Sequence, residues 1–549
     1  VLIRMSRLVK KHGKLLMALG LSFGVMLLFK LFFAAVYETN DDYIMSAISY
    51  GYYGSPQAGL IYIHPLLGEV YALLQKLVPG ASWYYLGELA ILGLAMAALY
   101  RMAMERDDCV PVLAVLTLFY AGGLLFGLQY TKIAGTASAA GILVLFWALR
   151  EKKSWGTYLA GFLLSLSGYC LRSNAFYMVL IPLAGVGAAE LFRRLHSKEL
   201  RRALGLVGTF AVLFALCGGL MLGEKQYYGE DWTYYRQFNA LRTELMDYGF
   251  PDYDENRELY ASLRISEADL ELFKRWDFAD PEVFNVDSMQ ALVNAKPSKD
   301  FRPGNILRCG KGAVQGLMRY QIAGVLLLAV LLWLWTADKW GIALGLYTLA
   351  AMVGTETWLL LVGRGLRPRV DVPLMLTAAA ILLLACSRRE DSRLPKGRME
   401  MLLAAAMMLG QIPGWLTQND AAVESWLSAS QVQAVYQELS ADCGTIYFFR
   451  EEEMAPNLLP GRQGGFGYYS NIASMGGWLT ESPYVLERNA AFGVENPYRD
   501  LVDAEHVRLV SNDPGPVLDY IREHYAPEAQ AVQVGETCWG YKIWKIQTT

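Results

Sequence analysis

Apolar runs of about 17–23 residues, the length that crosses the hydrocarbon of a bilayer, recur near 15–36, 84–103, 109–129, 133–149, 157–171, 175–192, 203–222, 317–336, 340–362, 371–386 and 399–416. They predict an α-helical polytopic membrane protein of about eleven transmembrane helices. Three long polar stretches interrupt them: a first loop (37–83), an insertion (223–316) and a C-terminal region (417–549). In the first loop, PLLGEVYALLQKL sets Leu66, Leu67, Val70, Leu73, Leu74 and Leu77 on one helical face. That run is too short to span, so it predicts an amphipathic helix lying in the interface. DDYIMSAISYGYYG predicts a shorter helix stopped at its glycines. The insertion mixes Pro251, Pro281, Pro297 and Pro303 with short helical patterns such as SEADLELFKRW. A loop of that length is expected to fold over the membrane mouth. In the last stretch, helix-like VESWLSASQVQAVYQELS and strand-like GTIYFF, AVQVG and YKIWKI predict a small α/β domain. The chain therefore divides into a membrane domain, 1–416, and an α/β domain, 417–549. No internal repeat of fixed period is present.

Charge orients these elements. With the N-terminus cytoplasmic, the loops RMAMERDD, REKK, RRLHSKELRR, TADKW and SRREDSRLPKGR all fall inside. Lys and Arg then number about 21 inside against about 6 in the short outer loops, as the positive-inside rule requires. An odd number of spans places the three long polar stretches outside. The basic lead Arg4, Arg7, Lys10, Lys11 and Lys14 precedes an apolar run too long for a secretory signal, which predicts a retained helix in the plasma membrane. Composition agrees: 549 residues that are 54% hydrophobic and 18% charged do not suit a soluble globular chain. No basic run is interleaved with aromatics, so nucleic acid is excluded as a partner. The seven cysteines show no metal-ligand spacing. Cys443 and Cys538 share the polar C-terminal region, where a disulfide forms if the compartment oxidises and the two approach.

The candidate chemistry sits just after the first apolar run, in Glu38-Thr39-Asn40-Asp41-Asp42. Adjacent carboxylates at a bilayer surface are costly to desolvate and mark chemistry or a solute path. The plainer reading is that they cap a helix, with Asn40 or Asp41 as the N-cap. A carboxylate held there can act as general base on an acceptor hydroxyl or amine. The outer surface holds no ATP, so an activated group arrives there as a lipid-linked phosphate ester, whose leaving phosphate needs cations. Outer cations are few: Lys132 in LQYTKIAG, Arg172 in CLRSNAF, and Arg364, Arg367 and Arg369 in GRGLRPRVDVP. Either they snorkel to headgroups or they hold an anion. Gly363, Gly365 and Pro368 shape a turn that presents the last three together. Tyr43, Tyr50, Tyr52, Tyr53, Trp83, Tyr84 and Tyr85 fit an interfacial belt and receive no specific role. No zinc cluster or phosphate-cradling loop is evident; a divalent metal on Asp41, Asp42 or acids of the insertion is an open but unfavoured cofactor.

NDD followed at a fixed interval by IHPLLGE resembles the GT-C superfamily of membrane glycosyltransferases. The first loop is most similar to the protein O-mannosyltransferase and aminoarabinose-transferase branch, with its acidic pair and, a little over twenty residues on, an HPPLG-type motif. The resemblance covers about the first 150 residues; the remainder is similar only in topology. It implies Asp41 as the catalytic base and Asp42, where the branch has Glu, in a supporting role. His64, Pro65, Leu67 and Gly68 match the motif, while Leu66 and Glu69 depart from it. His64, Lys132, Arg172, Arg364, Arg367 and Arg369 would then face the donor phosphate. The implied reaction is inverting transfer of a sugar from a polyprenyl phosphate to a glycan, lipid or protein acceptor on the outer face. The rival expectation is a transporter or flippase of a lipid-linked or anionic solute. That rival requires ionisable residues buried within spans, for which Lys30, Glu88 and Glu356 are the candidates. A third reading is an inactive scaffold that presents the C-terminal domain.

Overall fold

A computed structural model describes residues 2–106, 109–386, 398–453, 458–460 and 471–548. The chain begins with α1 (Leu2–Phe32), β1 (Val36–Tyr37), α2 (Asn40–Tyr50), α3 (Pro65–Leu77), α4 (Trp83–Ala103), α5 (Cys109–Phe119) and β2 (Gly127–Leu128). A π turn, Tyr120–Leu125, ends α5. There follow α6 (Tyr130–Glu151), α7 (Trp155–Leu171), α8 (Ser173–His196) and α9 (Leu200–Tyr227). The insertion holds α10 (Thr233–Tyr248), α11 (Arg257–Ser262), α12 (Glu267–Lys274), α13 (Val286–Asn294) and α14 (Pro303–Leu317). Then come α15 (Ala323–Thr336), α16 (Lys339–Leu361), α17 (Pro368–Ala380) and α18 (Arg398–Ser440). The chain closes with β3 (Ile446–Phe449), β4 (Ile472–Ser474), α19 (Pro483–Ala490), α20 (Pro497–Asp500), β5 (Val507–Val510), α21 (Gly515–His524), β6 (Gln530–Glu536) and β7 (Lys542–Gln547).

Each of the apolar runs is largely helical, though 317–336 is helical only from Ala323 onward apart from Leu317. Among the described residues, 7 helices are long and apolar enough to cross a membrane: α1 from His12, α4, α6, α8, α9, α16, and α17 with its π extension to Ala385. The α5 segment to Leu125 and α15 are shorter apolar helices. Residues 387–397 and Asp107–Asp108, in loops expected to face the cytoplasm, lie outside the described residues. Helix α6 is the central post, buried along nearly its whole length between α4, α7, α8 and α17. Small residues let α7 approach it backbone to backbone: a Cβ on Gly168 would lie 2.2 Å from Ser138 Oγ, and one on Gly141 2.5 Å from Ser165 N. Small-residue seams of this kind are how helices associate where no hydrophobic effect drives them together.

Both short helices of the first loop form as their periodicity predicts. Helix α2 stops at Gly51, whose φ of 106 ends it in the left-handed region that favours glycine. Its N-cap is Thr39, so neither Asn40 nor Asp41 has the capping position; Asp41 and Asp42 occupy the first turn. Helix α3 buries Gly68, Tyr71, Ala72 and Gln75 and exposes Leu66, Val70, Leu73 and Leu77, an apolar outer face that suits an interfacial helix. One link was absent from the sequence reading. Strands β1 and β2 pair in parallel, Val36 with Gly127 and Tyr37 with Leu128, tying the start of the first loop to the start of α6.

The C-terminal sheet has the order β4-β3-β5-β7-β6, parallel from β4 to β5 and antiparallel beyond. Strand β3 is buried on both faces, and its alternation serves two layers. Ile446 and Phe448 pack with Phe238, Leu245, Phe273, Phe278 and Met289 of the insertion, whereas Tyr447 and Phe449 pack on Val432, Val435 and Leu439 of α18. The insertion therefore supplies one side of the α/β domain's core. The division expected at 416/417 falls inside α18, a single helix of 43 residues. Cys443 and Cys538 are exposed free thiols, so the disulfide considered for them is not formed.

Candidate active site

A cavity of about 1350 Å³ lies between the ends of the apolar helices and the α/β body. Asp41 reaches it from the first turn of α2. Opposite, Gly363, with φ of 93, turns the chain after α16, and Pro368 opens α17 with Arg367 as its N-cap. That turn delivers Arg364, Arg367 and Arg369 to the cavity, while Arg172 enters from the extended junction of α7 and α8. Arg369 Nη1 donates to Asp41 Oδ2 at 3.0 Å. Arg364 lies 3.5 Å from Asp247 and beside the Tyr248 ring. Arg172 packs over Tyr62 at 4.8 Å and Tyr130 at 5.9 Å. Among the described residues, neither Arg172 nor Arg367 has a carboxylate partner. The wall thus carries positive charge that its own acids do not neutralise, which is the arrangement that retains an anion.

Three of the expected site residues go elsewhere. Lys132 is buried in α6, ion-paired to Glu38 at 2.5 Å and donating to the Gly127 carbonyl at 3.0 Å. Its charge is spent on the β1–β2 junction, and it does not line the cavity. His64 is the N-cap of α3: Nδ1 accepts from Leu66 N at 3.0 Å, and Nε2 lies 2.8 Å from the Leu220 carbonyl. It fixes α3 against α9 and has no place on the cavity wall. Asp42 turns inward from Asp41. Its Oδ1 accepts from Tyr84 OH at 2.9 Å and Tyr130 N at 3.0 Å, beside the buried carboxyl of Glu88. Burial pushes the Asp42 carboxyl up to about 7. The two adjacent acids therefore divide, one facing open space beside cations and the other holding the loop in place.

The roof carries groups that no local pattern singled out. Arg242, in the amphipathic helix α10, lies 5.0 Å over the Trp276 ring and donates to Tyr62 OH at 3.3 Å. Trp478 packs on Tyr62 at 4.9 Å. Glu451 lines the cavity just after β3, and its Oε2 accepts from Ser474 Oγ at 2.6 Å. Burial raises the Glu451 carboxyl above the usual glutamate range. A serviceable hint would have been the many tyrosines and tryptophans of the long polar segments, but the belt reading absorbs them equally well.

An oxygen-ligated divalent ion would need several acids converging on one point. Asp41 is instead held by a guanidinium, and Asp42 by a hydroxyl and a peptide N–H, so this pair does not fit a metal. Among the described residues, one group of metal-capable side chains comes together, Asp269, Glu523 and His524, where the insertion meets the C-terminal body. There His524 Nε2 already lies 3.0 Å from Asp269 Oδ2, a contact that joins α12 to α21. No protein-family model matches this sequence, and no curated protein and no solved structure matches it either.

Proposed function

We propose that the protein is a membrane glycosyltransferase that moves a sugar from a polyprenyl-phosphate donor to an acceptor at the outer face, with Asp41 as general base. One observation carries the reading: the cavity-facing carboxylate of Asp41 shares its wall with Arg172, Arg364, Arg367 and Arg369 at the ends of apolar helices. The first-loop resemblance to the GT-C superfamily supports it, as does the segregation of basic residues, which puts this cavity outside and the N-terminus in the cytoplasm of an eleven-span protein. In the reaction, the acceptor hydroxyl gives its proton to Asp41 while its oxygen bonds to the anomeric carbon. The bond from that carbon to the phosphate oxygen breaks, and its electron pair leaves on the lipid phosphate, which Arg172 and Arg367 stabilise. Arg369, donating to Asp41 Oδ2, orients that carboxylate before the acceptor arrives.

The test is transfer by the purified protein from a panel of polyprenyl-phosphate sugars. Asp41→Asn should reduce turnover by about three orders of magnitude or more with an unchanged melting temperature. A variant as active as wild type would sink the assignment.

A second reading, proton-coupled transport of an anionic solute, draws on two buried acid pairs, Asp42 with Glu88 and Glu356 with Asp371, the latter bonded by Tyr320 OH. It predicts uptake or flipping in proteoliposomes that Glu356→Gln abolishes, without any sugar transfer.

A further inference from the structure

The cavity has two chemically different ends, and only the membrane end is explained by a lipid phosphate. Its roof belongs to the α/β body. Glu451 and Ser474 stand at the ends of neighbouring parallel strands β3 and β4, paired by Phe449 with Ser474. The backbone there is pressed against the insertion: a Cβ on Gly476 would meet the Trp276 carbonyl at 1.7 Å, and Gly477 N donates to that same carbonyl at 3.0 Å. Gly477, with φ of 86, leaves open the space beside the Glu451 carboxylate, where a Cβ would sit at 3.4 Å. The half-buried Trp276 and Tyr62 and the more deeply set Trp478 flank these polar groups, and Arg242 lies across Trp276.

We propose that this roof is the acceptor subsite and that the acceptor is a saccharide, its ring packed on Trp276 and its hydroxyls bonded to Glu451 and Ser474. The inference rests on the transferase reading above for the word acceptor, but the binding chemistry stands on the roof itself. A pyranose has an apolar face of C–H groups and an equatorial rim of hydroxyls. Aromatic rings flanked by planar charged groups match both parts, the ring by contact and the rim by charge-assisted hydrogen bonds. A carboxyl raised by burial accepts from one hydroxyl and, when protonated, donates to the next. A peptide acceptor would most simply add to the free edge of the sheet at β4. That edge is obstructed, since Arg488 Nη1 donates to the Ile472 carbonyl at 2.8 Å. A lipid acceptor would need a continuous aliphatic groove, whereas Trp276, Trp478, Arg242, Glu451 and Glu452 set aromatic and charged groups along this end of the cavity.

The experiment uses the purified full-length protein in detergent on two arrays, one of oligosaccharides spanning neutral, amino and acidic sugars, the other of peptides rich in Ser, Thr and Tyr. Saturable binding to a subset of oligosaccharides is expected, weakened about tenfold by Glu451→Gln, the loss of one charge-assisted hydrogen bond. Trp276→Phe, which keeps an aromatic ring, should weaken it less than Trp276→Ala, with melting temperature reporting that each variant is folded. Binding to peptides alone, to no oligosaccharide, or to oligosaccharides with undiminished affinity in Glu451→Gln overturns the proposal. Undecaprenyl phosphate is titrated separately into the wild type. If that lipid fails to bind while oligosaccharides do, the transferase reading falls and the saccharide site remains.

Discussion

Asp41 and Asp42 are neighbours in sequence and opposites in environment, because adjacent residues on a helix point about 100° apart. Asp41 faces the cavity and Arg369, whereas Asp42 faces Tyr84, the Tyr130 amide and Glu88. An acid whose native pKa is raised binds its proton more tightly when folded. Its contribution to stability therefore declines as pH climbs from the ordinary aspartate range through about 7, and above that the buried charge is a cost. Asp42→Asn keeps the Oδ1 acceptor and removes the charge. Thermal unfolding in detergent should show the variant gaining stability over wild type at pH 8 and little at pH 5; equal shifts at both would disprove the assignment. Cations divide in the same way. Arg172→Ala should weaken undecaprenyl phosphate binding by about tenfold or more with a small effect on melting temperature. Lys132→Met should do the reverse, since it strands Glu38 at the β1–β2 junction, a loss of about 3 kcal/mol.

At the scale of elements, what could be read from the sequence was what depends on near neighbours. Helices α2 and α3 follow from periodicity and from a glycine stop, and the Arg364–Arg369 turn follows from its glycine and proline. Gly68 was legible as part of a motif, but its physical reason is non-local: a Cβ there would lie 2.0 Å from the Ala58 carbonyl. Backbone cannot yield as a side chain can, so Gly68→Ala should unseat α3 and cost about 1–3 kcal/mol, read as a lower melting temperature. His64 and Lys132 were misplaced because their partners, the Leu220 carbonyl and Glu38, approach only in the fold. The same holds for the insertion, whose Phe238, Phe273 and Phe278 meet β3 across more than a hundred residues of chain. Phe278 is fully buried, so Phe278→Ala should cost about 3–5 kcal/mol and open both the insertion and the sheet. Limited proteolysis should then cut both regions together; cleavage confined to the insertion would show that they fold separately.

For the molecule as a whole, labelling of the exposed thiols of Cys443 and Cys538 reports which side of the bilayer the sheet occupies. A membrane-impermeant maleimide added to right-side-out vesicles under reducing conditions should label both, while labelling only in inside-out vesicles would invert the topology. Helix α18 adds a mechanical consequence. Its 43 residues, Arg398–Ser440 with Pro413 among them, carry the chain through the apolar Leu402–Trp415 stretch to the underside of the sheet, a path of about 65 Å at 1.5 Å per residue. It packs under the sheet through Val432, Val435 and Leu439, so its length bears on the height of the ceiling above the apolar helix ends. Adding one turn of four residues near Ala421 would raise the ceiling by about 6 Å and separate Glu451 from Asp41 without altering either. Two chemically intact half-sites would then stand too far apart to meet across a single sugar.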